Sequence, residues 1–167
     1  AHRLFGEVMS PVVGRGLAEQ IARGAAPPLN EPADVARYTL LEEDDHRPSA
    51  QWLSWRHWLS ENGVPGLEPV RWMLLNFTYQ QVQGALAGQG LALARLPLVA
   101  EAVQRGELVE PFGPARRLAS PYAYWLLQLP HGNAAVRPEV SAFARWLQNV
   151  AVNEPVLETI AMTESVS

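Results

Sequence analysis

The segment Asn76-Phe77-Thr78 stands between a strand-like run and a helix-like run, where an α/β fold presents polar groups to a ligand. Ligands of such folds bind beyond the carboxyl ends of strands, and the helix start that follows offers unpaired N–H groups suited to an anion. Asn76 or Thr78 also suits the plainer task of capping its own helix, and the two roles are compatible. Arg15, within Gly14-Arg15-Gly16, is the second candidate, at another strand-to-helix joint. Its guanidinium can hold a carboxylate through two parallel hydrogen bonds, although an arginine in a turn is more simply read as solvated.

Other groupings point away from chemistry. Gly88-Gln89-Gly90 has phosphate-loop glycines, yet it follows a helix pattern and precedes a strand pattern, the reverse of the nucleotide fingerprint; it stops a helix. Glu42-Glu43-Asp44-Asp45-His46 lacks the alternating ligands and central glycine of a calcium loop and reads as a solvated charged loop. The histidines at 2, 46, 57 and 131 have neither helical spacing nor cysteine partners, which disfavours zinc. There is no Gly-x-Ser-x-Gly elbow, and no Ser, His and Asp set assembles by spacing. Trp52, Trp55 and Trp58 recur at helical spacing, which favours core packing over the stacking of bases or sugars. The expectation is a non-enzymatic chain that uses no cofactor and no metal.

The elements that must position these residues follow from periodicity and punctuation. Residues 4–13 read as a strand, with Pro11 limiting it to an edge, a bend or its end. A turn at 14–16 leads to a short helix carrying Leu17 and Ile21, and Pro32 opens a second short helix. A strand over 38–41 precedes the charged loop at 42–47, and one helix is predicted from Ser49 or Ala50 through Asn62. A strand over 69–75 is followed by a helix from Thr78 to Gly88 that buries Tyr79, Val82 and Leu86. Then come a strand over 91–96 buried on both faces, a helix over 97–105, and short and long strands at 108–109 and 122–129. After a polar turn at His131, Pro138 opens a last helix with the face Val140, Phe143, Trp146, Leu147 and Val150, and a loose tail ends the chain. This alternation predicts an α/β fold with a largely parallel sheet.

The 167 residues suffice for one domain or two small lobes, and 48% hydrophobic content supports a packed core. A net charge of −4, with no basic stripe, leaves no electrostatic footprint for nucleic acid. The absence of cysteine excludes disulfides and thiolate chemistry and fits a cytoplasmic setting. No apolar run approaches a membrane span, and the start lacks the pattern of a signal peptide, so the chain reads as the inside of a longer protein.

Several pieces in order resemble the effector-binding domain of LysR-type transcriptional regulators, in the style of the glycine-cleavage-regulator branch. They are Leu4-Phe5-Gly6-Glu7, Met9-Ser10-Pro11-Val12-Val13, Pro32-Ala33-Asp34-Val35, Thr39-Leu40-Leu41 and Trp58-Leu59. Gly88-Gln89-Gly90-Leu91, Gly106-Glu107-Leu108-Val109, Pro111-Phe112, Tyr124-Trp125-Leu126 and Trp146-Leu147 continue the match. The resemblance implies a fold like the type II periplasmic binding proteins, here as one complete lobe plus part of the second. Residues 1–13 would be a crossover strand, 14–118 the complete lobe, 119–151 the return to the partial lobe, and 152–167 a tail. It further implies that the loop at Asn76, Phe77 and Thr78 lines an effector cleft. The implied effector is a small organic acid or amino acid. The implied assembly is a homo-oligomer that meets DNA only through a domain outside this chain, with no membrane involvement. The rival of another class is a solute-binding protein of a transport system with the same fold; a small α/β enzyme would need a catalytic set not found here. The return strand and the helix bearing Phe143 and Trp146 are expected to need a covering partner, either another copy of the chain or residues outside it.

Overall fold

Strand-forming aliphatic residues fill the first stretch of the chain, and they form one long strand, β1 (His2–Gly14), buried without interruption from Gly6 to Gly14. The structure, a computed structural model, describes residues 1–129 and 137–153. The expected turn at His131 and nearly all of the expected tail lie outside them. After β1 come α1 (Arg15–Ala22), β2 (Thr39–Glu43), α2 (Trp55–Glu61), β3 (Arg71–Leu75) and α3 (Thr78–Leu86). The chain continues with β4 (Leu91–Arg95), α4 (Leu96–Gln104), β5 (Leu108–Val109), β6 (Leu118–Leu126) and α5 (Pro138–Asn153). Short 3-10 helices occupy Pro32–Arg37, Pro48–Leu53 and Pro114–Arg116, each opened by its proline.

The strands form one mixed sheet in the order β3-β2-β4-β1-β5, with β6 also paired to β1. Only β2 is parallel to its neighbours β3 and β4; β1 runs antiparallel to β4, β5 and β6. The sheet is therefore not largely parallel. Pro11 sits inside the central strand rather than at an edge or end. There it pairs with Leu93 of β4, while on the other flank β6 pairing ends at Met9 and β5 pairing begins at Val13. A residue without an N–H forfeits no ladder bond in that gap.

Burial follows the strand period of two. Met9, Val13, Leu40, Leu91 and Leu93 point to one side, where Trp55, Trp58 and Leu59 of α2 complete a core with Val35 and Tyr38. Val8, Val12, Leu41, Ala92 and Ala94 point to the other, against Ala85 of α3 and Leu96 and Val99 of α4. The result is helix, sheet, helix: an α/β sandwich in which central strands are buried on both faces. Among the described residues no helix is long and apolar enough to cross a membrane.

Three local expectations change. The single helix expected over 49–62 breaks at Ser54, which is extended (φ −98, ψ 153) and whose hydroxyl accepts a hydrogen bond from the N–H of His57 as the N-cap of α2. Glu42 and Glu43 belong to the end of β2, because they continue its pairing opposite Leu74 and Leu75. On α3 the inward residues are Gln81, Gly84 and Ala85, while Tyr79 is 63% exposed and Leu86 36%. Small residues let this helix sit very near the sheet: a Cβ on Gly84 would come within 2.8 Å of Leu41 Cδ1.

Candidate functional site

The parallel strands β2, β3 and β4 end side by side, and α3 begins just beyond β3. Their ends enclose a cleft of about 270 Å³. Glu42 and Glu43 enter it from β2, Leu74 from β3, Arg95 from β4, and Thr78 and Gln81 from α3. Met9 and Leu93 supply apolar wall, and the loop from Asp44 to Arg47, with Leu53 and Ser54, closes the far side. A crevice beyond the carboxyl ends of parallel strands is where open α/β sheets take ligands.

Arg95 anchors the polar network. Its guanidinium lies 3.8 Å from Glu7 and 3.9 Å from Glu43. Thr78 donates its hydroxyl to Glu43 Oε2 at 2.6 Å, tying the start of α3 to the end of β2. Glu7, 5% exposed, accepts a hydrogen bond from the Tyr124 hydroxyl at 3.0 Å. Burial pushes the Glu7 carboxyl above its ordinary range despite the nearby charge of Arg95 and the Tyr124 bond. Burial, and then the charge of Glu7, push the Tyr124 phenol up to about 12.

Behind the cleft Trp55 bridges two layers. Its indole N–H donates to the Leu41 carbonyl at 2.9 Å and its backbone N–H to Glu42 Oε1 at 2.8 Å. Burial raises the Glu42 carboxyl in spite of that bond. At the rim, Arg47 clasps Asp45 with a forked pair of bonds at 2.8 and 2.7 Å. Hydrogen bonds from Arg47, side chain first and then backbone, bring the Asp45 carboxyl down to about 2. Gln81 is buried and its side-chain amide has no hydrogen-bond partner among the described residues.

A family model, the LysR substrate binding domain, matches residues 1–152. The chain belongs to the LysR substrate-binding domain family. It is 26% identical over 152 residues to the glycine cleavage system transcriptional activator of Escherichia coli K12, covering 91% of this chain and 45% of that protein. It is 30% identical over 120 residues to the HTH-type transcriptional activator AmpR of Enterobacter cloacae, covering 71% of this chain and 38% of that protein. The chain thus spans less than half the length of these relatives. The effector domain of AmpR from Pseudomonas aeruginosa superposes with a TM-score of 0.65 at 22% identity, over 91% of this chain and 65% of that one. The bromide-bound regulatory domain of HypT from Salmonella typhimurium superposes with a TM-score of 0.52 at 16% identity, over 90% and 63%. The fold is that of LysR effector domains, periplasmic-binding-protein-like.

Within this LysR domain the residues singled out by sequence go to different places. Thr78 lines the cleft, as its place at a strand-to-helix joint suggests. Asn76 and Phe77 lie outside it: Phe77 occupies the N-cap position of α3 and is 56% exposed, stacked on Tyr79 at 5.8 Å. Neither Asn76 nor Thr78 caps the helix; Gln80 Oε1 instead accepts from the N–H groups of Asn76 and Phe77 at 3.0 and 3.2 Å. Arg15 opens α1 rather than sitting in a turn, and it donates to the carbonyls of Gly106 and Arg105 at 2.8 and 2.7 Å, at the end of α4. That is a favourable place for a cation, at the negative end of a helix. Sequence reading missed Arg95, Gln81 and Glu42. It took the acidic run for a solvated loop, because nothing local says that β2 ends against α3.

Proposed function

We propose that this chain is the effector-sensing part of a LysR-type transcriptional regulator and binds a small molecule in the Glu43–Thr78–Arg95 cleft. The observation that carries the reading is that cleft itself, a polar pocket at the carboxyl ends of β2, β3 and β4 in a LysR substrate-binding domain. Both relatives above carry the name of transcriptional activators, which favours regulation over transport among proteins of this fold. Residues 14–118 act as the lobe that carries the site, β1 as the crossover into it, and 119–151 as the return to a second lobe. The ligand favours one arrangement of the lobes in an oligomer. That bias passes to a helix-turn-helix domain elsewhere in the full-length regulator, as differential binding requires. The expected ligand class at this level is a small organic acid or an amino acid.

The test is a thermal-shift screen of the 167-residue chain against organic acids, amino acids and their derivatives. A ligand present at a hundred times its dissociation constant should raise Tm by roughly 5–10 °C. Thr78→Val, which removes the hydroxyl bonded to Glu43, should shrink that rise. A screen in which no compound raises Tm, or in which a compound is turned over, refutes the reading.

A further inference from the structure

Charge in the cleft is unbalanced. Glu42, Glu43, Asp44 and Asp45 line it against Arg47 and Arg95, the cleft's two arginines. Neither arginine is at liberty. Arg47 is clasped to Asp45, and Arg95 lies between Glu43 and the buried Glu7. A carboxylate ligand would have to draw one of them from its partner while facing the remaining acids, which costs specificity and affinity together. A cation meets the opposite situation. Asp44 has His46 at 3.3 Å, and Glu42 uses Oε1 for the Trp55 N–H while its Oε2 makes no hydrogen bond among the described residues.

Gln81 supplies the independent observation. It is 7% exposed, and its amide has no hydrogen-bond partner among the described residues. An amide that spends its hydrogen bonds on no protein group is open to water or to a ligand. The fully buried side-chain polar atom that lacks a partner among the described residues is Nη1 of Arg117. The Gln81 amide is therefore not sealed off, and the space it borders is the cleft. A carboxamide both donates and accepts, so it is matched by a neutral polar group. Met9, Leu74 and Leu93 give the same cleft an apolar side.

We propose that the effector is a small ammonium-bearing molecule whose cation is held by the unengaged oxygen of Glu42 and whose adjacent neutral polar group pairs with Gln81. This deepens the effector-site reading above and rests on it. It replaces the class of organic acids and amino acids by their carboxylate-free derivatives, amines and amino-acid amides, with a short apolar body against Met9 and Leu93.

The test is an NMR titration of the 167-residue chain, following the Gln81 side-chain amide and the backbone and indole N–H of Trp55. The probes are L-leucinamide, which has ammonium, amide and apolar body; 4-methylpentanamide, which lacks the ammonium; and succinate, a dianion. L-Leucinamide should shift these signals at a dissociation constant about tenfold or more below that of 4-methylpentanamide, and succinate should leave them in place. Glu42→Gln and Gln81→Leu should each weaken L-leucinamide about tenfold. Should either substitution disturb the fold, a salt series on the unaltered chain decides instead: binding weakens with ionic strength if a charge pair carries it. Succinate or 4-methylpentanamide moving the same signals as strongly as L-leucinamide overturns the ammonium proposal and leaves the cleft as effector site. If none of these probes, nor any compound of the broader screen, moves them, both readings fall.

Discussion

At the scale of single residues, the cleft depends on carboxylates held in unlike surroundings. Glu7 is buried with Arg95 as its cation, so Arg95→Met should destabilise the fold by about 1–3 kcal/mol by leaving a buried acid uncompensated. Adding Glu7→Gln to Arg95→Met should recover much of that loss in urea unfolding, the signature of a coupled pair. Asp45 behaves in the opposite sense to Glu7. Its carboxyl is lowered from an ordinary 3.8 to about 2, so its contribution is fully present above 3.8 and disappears as pH falls toward 2. Acid unfolding of Asp45→Asn should therefore lose part of the pH dependence in that window. The raised carboxyls of Glu7 and Glu42 have the reverse sign: between the ordinary 4.5 and their raised values the folded chain holds more protons, so acidification favours it there. The environment of Glu7 was not legible in sequence, since Glu7, Glu43, Thr78 and Arg95 come from four different elements, whereas Asp45 meets Arg47 only two residues away.

At the scale of elements, glycines decide how closely α3 and the strands approach. A Cβ on Gly14 would sit 2.3 Å from the Ala85 carbonyl oxygen, and one on Gly90 would sit 2.3 Å from that of Thr39. Both clashes are with backbone, so Gly14→Ala and Gly90→Ala should each cost about 1–3 kcal/mol or more in chemical denaturation. Gly84→Ala meets the end of the Leu41 side chain at 2.8 Å, a group that can move, and should cost less. An order reversed from this would mean that α3 is not seated as described. Gly14 and Gly90 read in sequence as punctuation, and Gly90 does stand just before β4. Their second role, admitting a neighbouring carbonyl, depends on which elements meet. The inward face of α3 was misread for the same reason: periodicity selects the large residues Tyr79 and Leu86, whereas close packing selects Gly84 and Ala85.

At the scale of the whole molecule, one side presents large apolar residues that are exposed among the described residues. α5 lies against β1 and buries Ala144 and Ala151, while Phe143 and Trp146, stacked at 5.6 Å, are 58% and 56% exposed. Trp125 and Leu127, on and just after β6, are 56% and 62% exposed. An exposed apolar surface of this kind marks an interface. In sedimentation the chain should run above its 18.4 kDa monomer mass, and Phe143→Glu with Trp146→Glu should shift it toward monomer without loss of helix. A monomer at all concentrations, with α5 ordered, would contradict that.

Sequence alone determined the order of strands and helices, their main stops, the family and the α/β class. The elements and the class rest on the period of two or 3.6 and on glycine and proline, which act between near neighbours, whereas the family rests on matching pieces of sequence in order. Tertiary structure decided that β1 runs against β4 with Pro11 in its interior, that α3 turns its small residues inward, and that an acidic loop borders a cleft. It also set Thr78 in the cleft beside Gln81, Arg95 and the end of β2, and left Asn76, Phe77 and Arg15 outside it. Those outcomes are contacts between residues far apart in the chain, and the cost of burying a charge depends on which distant partner meets it.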